Sequence, residues 1–169
     1  MQQDATANRL ARSIGDMEEV QHYLMVLWKL ESGRLQIKED FIIKSIRKAS
    51  FLASIIAYSR PFKKSNSDGR ADRSLNLSDL DLLRGDPELY DLHNAIIEKR
   101  DRAVAHADWN YHPSELVGIE NGLTIRHSPR PDFSEGIALY DFQRLSELVC
   151  RQCMELAYER DMRSAQGRD

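Results

Sequence analysis

The sequence predicts an all-α fold, a bundle of four to five helices with a small β-hairpin inserted before the last one. Apolar residues recur at spacings of three and four through most of the chain, which gathers them on one face of a helix. That period breaks once, between Leu116 and Ile125, where two β-prone runs flank Asn121-Gly122. The chain has 169 residues, 41% apolar and 30% charged. That is one domain's length, with apolar material for a core and charges for helix surfaces. A single domain over residues 1–169 is expected.

The first helix is expected from about Thr6 to Glu31, on Leu10, Ile14, Met17, Val20, Leu24, Leu27 and Leu30, with Ser32-Gly33 ending it. The second is expected to start near Glu39-Asp40, to carry Ile42, Ile46, Ala49, Leu52, Ala53 and Ile56, and to end at Arg60-Pro61. Residues 60–74 follow as a loop: Lys63, Lys64, Arg70 and Arg73 stand among Ser65, Asn66, Ser67 and Gly69, with no periodic apolar face. It reads as a solvated linker or as a basic arm for a phosphate backbone or a partner. A short helical turn from Asp79 to Leu83 precedes Gly85, and a third main helix runs from Pro87 to about Asp108, stopping before Pro113. Asn-Gly between Leu116-Val117-Ile119 and Leu123-Thr124-Ile125 predicts a hairpin over about 115–127. Ile137 to Leu139 could add a third short strand. Asp141 is expected to cap the last helix, with Tyr140 and Leu145 as a hydrophobic staple. Its core face is read as Phe142, Leu145, Val149, Cys153 or Met154, Leu156 and Ala157, with a frayed tail from Met162.

Composition removes several classes of function. A net charge of −3 disfavours a blanket nucleic-acid binder, though not a local basic cleft. No apolar run approaches a membrane span, and the polar start Met1-Gln2-Gln3-Asp4 does not read as a signal peptide, so a cytoplasmic protein without membrane contact is expected. Cys150 and Cys153, three apart on a helix, read as packing residues. His93, His106, Asp108 and His112 do not converge as a metal set, and no metal or cofactor is expected. No Gly-rich phosphate loop or Ser–His–Asp pattern is present.

Attention falls instead on the run from Ile96 to Asp108. At roughly 100° per residue, Leu89, Leu92, Ile96, Ile97, Ala103, Val104 and Ala107 form one broad apolar stripe. Arg100 lies within that stripe, almost directly above His93, while Arg102 points to the solvated side. A guanidinium keeps its charge, so an Arg in a buried stripe needs a carboxylate, carbonyls or a phosphate. The plain alternative is a structural pair: Arg100 with a carboxylate of another helix, and His106 with the helix's last carbonyls.

Arg100-Asp101 followed by His106, with Arg102, Ala105, Ala107 and Asp108 around them, resembles the Arg-x(4–6)-His motif of HEPN domains. Those are small all-α domains, usually dimeric, many of them metal-independent RNases of toxin–antitoxin, abortive-infection and other defence systems. The resemblance implies an endoribonuclease with Arg100, Asp101 and His106 as its catalytic set. Arg100 would clamp the developing phosphate charge, His106 would move protons, and Asp101 would orient one of them. Lys99, Arg102 and Trp109 complete the expected substrate-contacting set; Trp109 and Tyr111 read either as base-stacking rings or as core at a helix end. On one straight helix Arg100 and His106 stand about 120° apart. They meet only if the helix end unwinds or two copies come together. The resemblance implies the second, a homodimer with one shared cleft, RNA as substrate and a possible cognate antitoxin as a separate chain. Degenerate members of such families bind RNA or protein without cutting.

Overall fold

The structure, a computed structural model, describes residues 5–63, 75, 80–104, 115–119, 123–127 and 134–166. Its long elements are all helices: α1 (Ala5–Glu31), α2 (Asp40–Ser59), the short α3 (Asp81–Arg84), α4 (Pro87–Val104) and α5 (Leu139–Ala165). A single 3-10 turn, Arg60–Phe62, extends α2. Two strands, β1 (Glu115–Ile119) and β2 (Leu123–His127), pair antiparallel with Val117 opposite Ile125. The expected Asn121-Gly122 turn lies outside the described residues.

α1 is the spine, packed against both α2 and α5. Leu10, Met17, Val20, Leu24, Leu27 and Leu30 are buried at spacings of three and four, with Ile14 against the same core. Gly33 ends the helix at φ +68, where the Arg34 N–H reaches the Lys29 carbonyl at 2.9 Å and the Gly33 N–H reaches the Leu30 carbonyl at 3.2 Å. Those bonds satisfy carbonyls the helix would otherwise leave open, and the left-handed residue they require is one glycine adopts without strain.

α2 has the expected length but presents a different face. Its buried residues are Ser50, Phe51, Ser54, Ile55, Ala57, Tyr58 and Ser59, whereas Ile42, Ile46, Leu52, Ala53 and Ile56 are half-buried and Ala49 is exposed. Apolar residues surround this helix, so its spacing admits two faces. Serine settles the choice. The Ser54 hydroxyl donates to the Phe51 carbonyl and the Ser59 hydroxyl to the Ile55 carbonyl, each at 2.7 Å. A hydroxyl satisfied by its own helix can enter a core without leaving an unmade bond.

The start of α4 is built as expected, with proline at its first position. Asp86 caps it: Oδ1 accepts the Leu89 N–H at 3.2 Å, and Oδ2 accepts Arg144 of α5 at 2.8 Å. α5 differs from expectation at both ends. It begins at Leu139 with Ala138 as its N-cap, so Asp141 lies within the first turn and caps nothing. Tyr140 is 76% exposed and staples nothing. The turn at Gly136 (φ +73) instead drops Ile137 into the core. Ile137 is therefore an anchor before the helix, not part of a third strand, and Leu139 is already helical. At the far end the helix continues past Met162 to Ala165, where Arg163 pairs with Glu159 one turn back at 3.1 Å.

The core closes around Phe142 of α5, which meets Phe51 edge-on at 6.2 Å and Tyr58 at 5.6 Å between ring centroids. Cys150 and Cys153 are buried free thiols, and burial pushes Cys153 up to about 12. Of the two expected alternatives on this face, Cys153 is inside and Met154 is outside. Among the described residues no helix is long and apolar enough to cross a membrane.

Candidate functional site

The stripe on α4 runs Leu89, His93, Ile96 and Arg100, and it rises from core to surface along its length. Leu89 and Ile96 are fully packed, and His93 is 3% exposed. A buried imidazole needs a partner for its ring nitrogens. Tyr58 supplies it: its hydroxyl and His93 Nδ1 share a hydrogen bond of 2.8 Å. Phe62 from the 3-10 turn stands edge-on to His93 at 4.6 Å and packs against Tyr58 at 5.4 Å. Burial holds His93 down at about 4, so it is neutral near pH 7, and the same burial holds the Tyr58 hydroxyl well above its ordinary range.

Removing the Tyr58 hydroxyl would leave a ring nitrogen of His93 dry and unpaired. Tyr58→Phe is expected to cost about 1–3 kcal/mol, the range for stranding a buried polar group. Calorimetry should register this as a fall in Tm of roughly 5 °C for a chain of this size. An unchanged Tm would mean that the bond is not what satisfies His93.

One turn beyond Ile96 the stripe reaches Arg100, 31% exposed at its side chain. Its position in the stripe is the expected one; its environment is not. Arg100 is no buried charge, and its carboxylate comes from its own neighbour rather than from another helix. Arg100 Nη1 donates to Asp101 Oδ1 at 3.0 Å. The second oxygen, Asp101 Oδ2, accepts Lys63 Nζ at 2.6 Å. Burial pushes the Asp101 carboxyl up, but the bonds from Lys63 and Arg100 outweigh it and hold the carboxyl below its usual range. Two cations therefore share one anion at the end of α4.

Among the other expected contacts, Lys99 is half-buried on α4, and Arg102 is exposed and pairs with Glu98 one turn earlier. His106, Trp109, Tyr111 and Asp108 lie outside the described residues, as do His112 and the arginines of the basic loop. Arg100 and Asp101 are thus the members of the expected catalytic set that the structure brings together.

Sequence pattern does not single out Lys63 or the Tyr58–His93 pair as parts of the site. In sequence Lys63 is only one cation of a loop, but the 3-10 turn carries it across from α2 to α4. A signal for the second pair does exist: His93 sits on an apolar face and needs a buried hydroxyl or carbonyl, and Tyr58 is the one tyrosine of α2. No group of three His, Cys, Asp or Glu residues is arranged to hold a metal among the described residues. Comparison with family models, with curated proteins and with solved structures finds no match to the chain in any of the three.

Proposed function

We propose that the chain is a HEPN-like endoribonuclease that cuts RNA without a metal, with Arg100 and His106 acting on one phosphate in a cleft shared by two copies. With this goes the finer fold expectation, a HEPN-like bundle carrying a small β-hairpin insert before its last helix. On this reading it works in the cytoplasm, in a bacterial defence or toxin–antitoxin system, with a cognate antitoxin as a separate chain. Lys99, Arg102 and Trp109 would hold the RNA.

The observation that carries the reading is the surfacing of Arg100. An apolar stripe that ends in a part-exposed guanidinium, with a second cation beside it, offers bidentate donors to a phosphate from a rigid helix. The chemistry such a site needs is an attack of the RNA 2′-oxygen on its neighbouring phosphorus, which releases the 5′-oxygen of the next nucleotide and leaves a cyclic phosphate. His106 would take the 2′-hydroxyl proton, a proton would return to the leaving oxygen, and Arg100 would stabilise the added negative charge. Asp101, which accepts from Arg100, would hold that side chain oriented for the incoming phosphate.

A second reading has one observation in its favour. Asp101 already meets the charge of Arg100, as it would in a module that binds RNA or protein and cuts nothing. Purified protein separates the two. The RNase reading expects cleavage of a single-stranded RNA in excess EDTA, with ends carrying a cyclic phosphate. Binding without cleavage would establish the module instead.

A further inference from the structure

We propose that Lys63 is a phosphate-contacting residue of the Arg100 site, and that Asp101 holds both cations in place until a phosphate of the ligand takes its position. This rests on the RNA-cleaving reading and extends it with a second cation from a different element and an internal stand-in for the ligand's anion.

The geometry is that of a bound oxyanion. Lys63 and Arg100 approach different oxygens of one carboxylate, at 2.6 and 3.0 Å. A phosphodiester presents two equivalent oxygens in a similar fork, so the same two cations can grip it from the same positions. The charges are unequal as well: two positive groups face one negative group, and the surplus attracts a further anion. All three groups are partly open to solvent, Lys63 at 32% and Asp101 at 48%. Ion pairs in such surroundings contribute little to stability, so exchanging the carboxylate for a phosphate disturbs the fold little.

Lys63 is also held where a binding residue must be held. Its N–H donates to the Arg60 carbonyl at 3.4 Å, and the Pro61 carbonyl accepts the Leu75 N–H at 2.7 Å. Phe62, the residue before it, is set against His93 at 4.6 Å. The backbone is thus fixed to the core while the ammonium stands at the surface. A cation positioned in advance loses less freedom on binding than one on a free loop.

The test is a titration by fluorescence anisotropy over a range of salt. One probe is a single-stranded RNA with 2′-O-methyl groups throughout, which cannot be cut; the other is inorganic polyphosphate. Lys63→Ala and Lys63→Gln are expected to weaken RNA binding about five- to tenfold and to lower the slope of log affinity against log salt by about 0.7, the share of one phosphate contact on a single strand. Asp101→Asn, which removes the competing anion, is expected to tighten binding severalfold. A merely structural Lys63–Asp101 pair predicts the reverse: lower melting temperatures, an unchanged salt slope and no gain from Asp101→Asn. That pattern overturns the proposal while leaving RNA cleavage standing. Wild-type protein that binds polyphosphate through Lys63 but ignores RNA keeps this site and removes the RNA reading. If it binds neither probe, both fall.

Discussion

Acidification from about pH 7 to about pH 4.5 is expected to cost this fold about 2.5 kcal/mol through His93 alone. Burial holds its imidazole at about 4, against 6.5 in an open chain. Between those values the unfolded chain binds a proton that the folded chain refuses, so stability rises with pH across that window. The contribution is complete above 6.5, falls away as the pH drops towards 4, and loses nothing further below it. Each unit of the difference corresponds to about 1.4 kcal/mol, so the whole shift is about 3.4 kcal/mol, most of it already lost at about pH 4.5. Carboxylates add to acid lability in the same direction: the bond from Arg60 lowers Glu19, and Lys63 and Arg100 lower Asp101 against its burial. A variant isolates the histidine. His93→Gln keeps a partner for the Tyr58 hydroxyl but removes the titrating group. Urea denaturation at the two pH values should show His93→Gln losing about 2.5 kcal/mol less than wild type. Equal losses would mean that His93 titrates normally and is not shielded as its 3% exposure indicates.

The parts of this structure legible in the sequence are those where one pattern admits one answer. α1 has a single apolar face and a Ser-Gly stop, and its buried side and C-terminal end follow from them. α2 has apolar residues almost all round. Spacing alone favours Ile42, Ile46 and Ile56, while the core takes Phe51, Ile55 and Tyr58 along with serines. Whether a serine can be buried depends on a bond to its own helix, which spacing does not express. At α5 a good capping residue, Asp141, loses to Ile137: burying that side chain sets the entry of the chain three residues earlier. The site divides in the same way. That Arg100 shares a stripe with His93 follows from helix geometry. How deeply the stripe is covered at each level depends on what α2 and its 3-10 turn lay over it, and that is a tertiary fact. His93 is sealed by Tyr58 and Phe62, and Arg100 is left at the rim.

If the chain is the RNase proposed above, Arg100→Ala is expected to abolish RNA cleavage while hardly changing the melting temperature. The structure shifts the balance between the two roles open to this residue. A buried Arg–carboxylate pair, once broken, costs about 3–5 kcal/mol because a charge is stranded in the core. The pair here is part-exposed, and Asp101 keeps Lys63 when Arg100 is removed, so no charge is stranded. The expected stability loss is therefore below about 1 kcal/mol. Catalysis should respond on another scale, because a donor aimed at developing phosphate charge contributes about 10²–10³-fold in rate. His106→Ala should stop cleavage as well, by removing the group that carries the proton. Arg102→Ala is the control for stability: it is exposed and paired with Glu98 on its own helix, so its loss should be near neutral for the fold. As a proposed RNA contact, its loss should weaken binding while leaving the chemical step at saturating protein intact. Single-turnover cleavage and melting curves on the three variants decide the matter. If Arg100→Ala cuts RNA as well as wild type does, Arg100 is a structural partner of Asp101 and the catalytic reading is wrong. If it unfolds the chain while Arg102→Ala alone ends cleavage, the catalytic role belongs to Arg102.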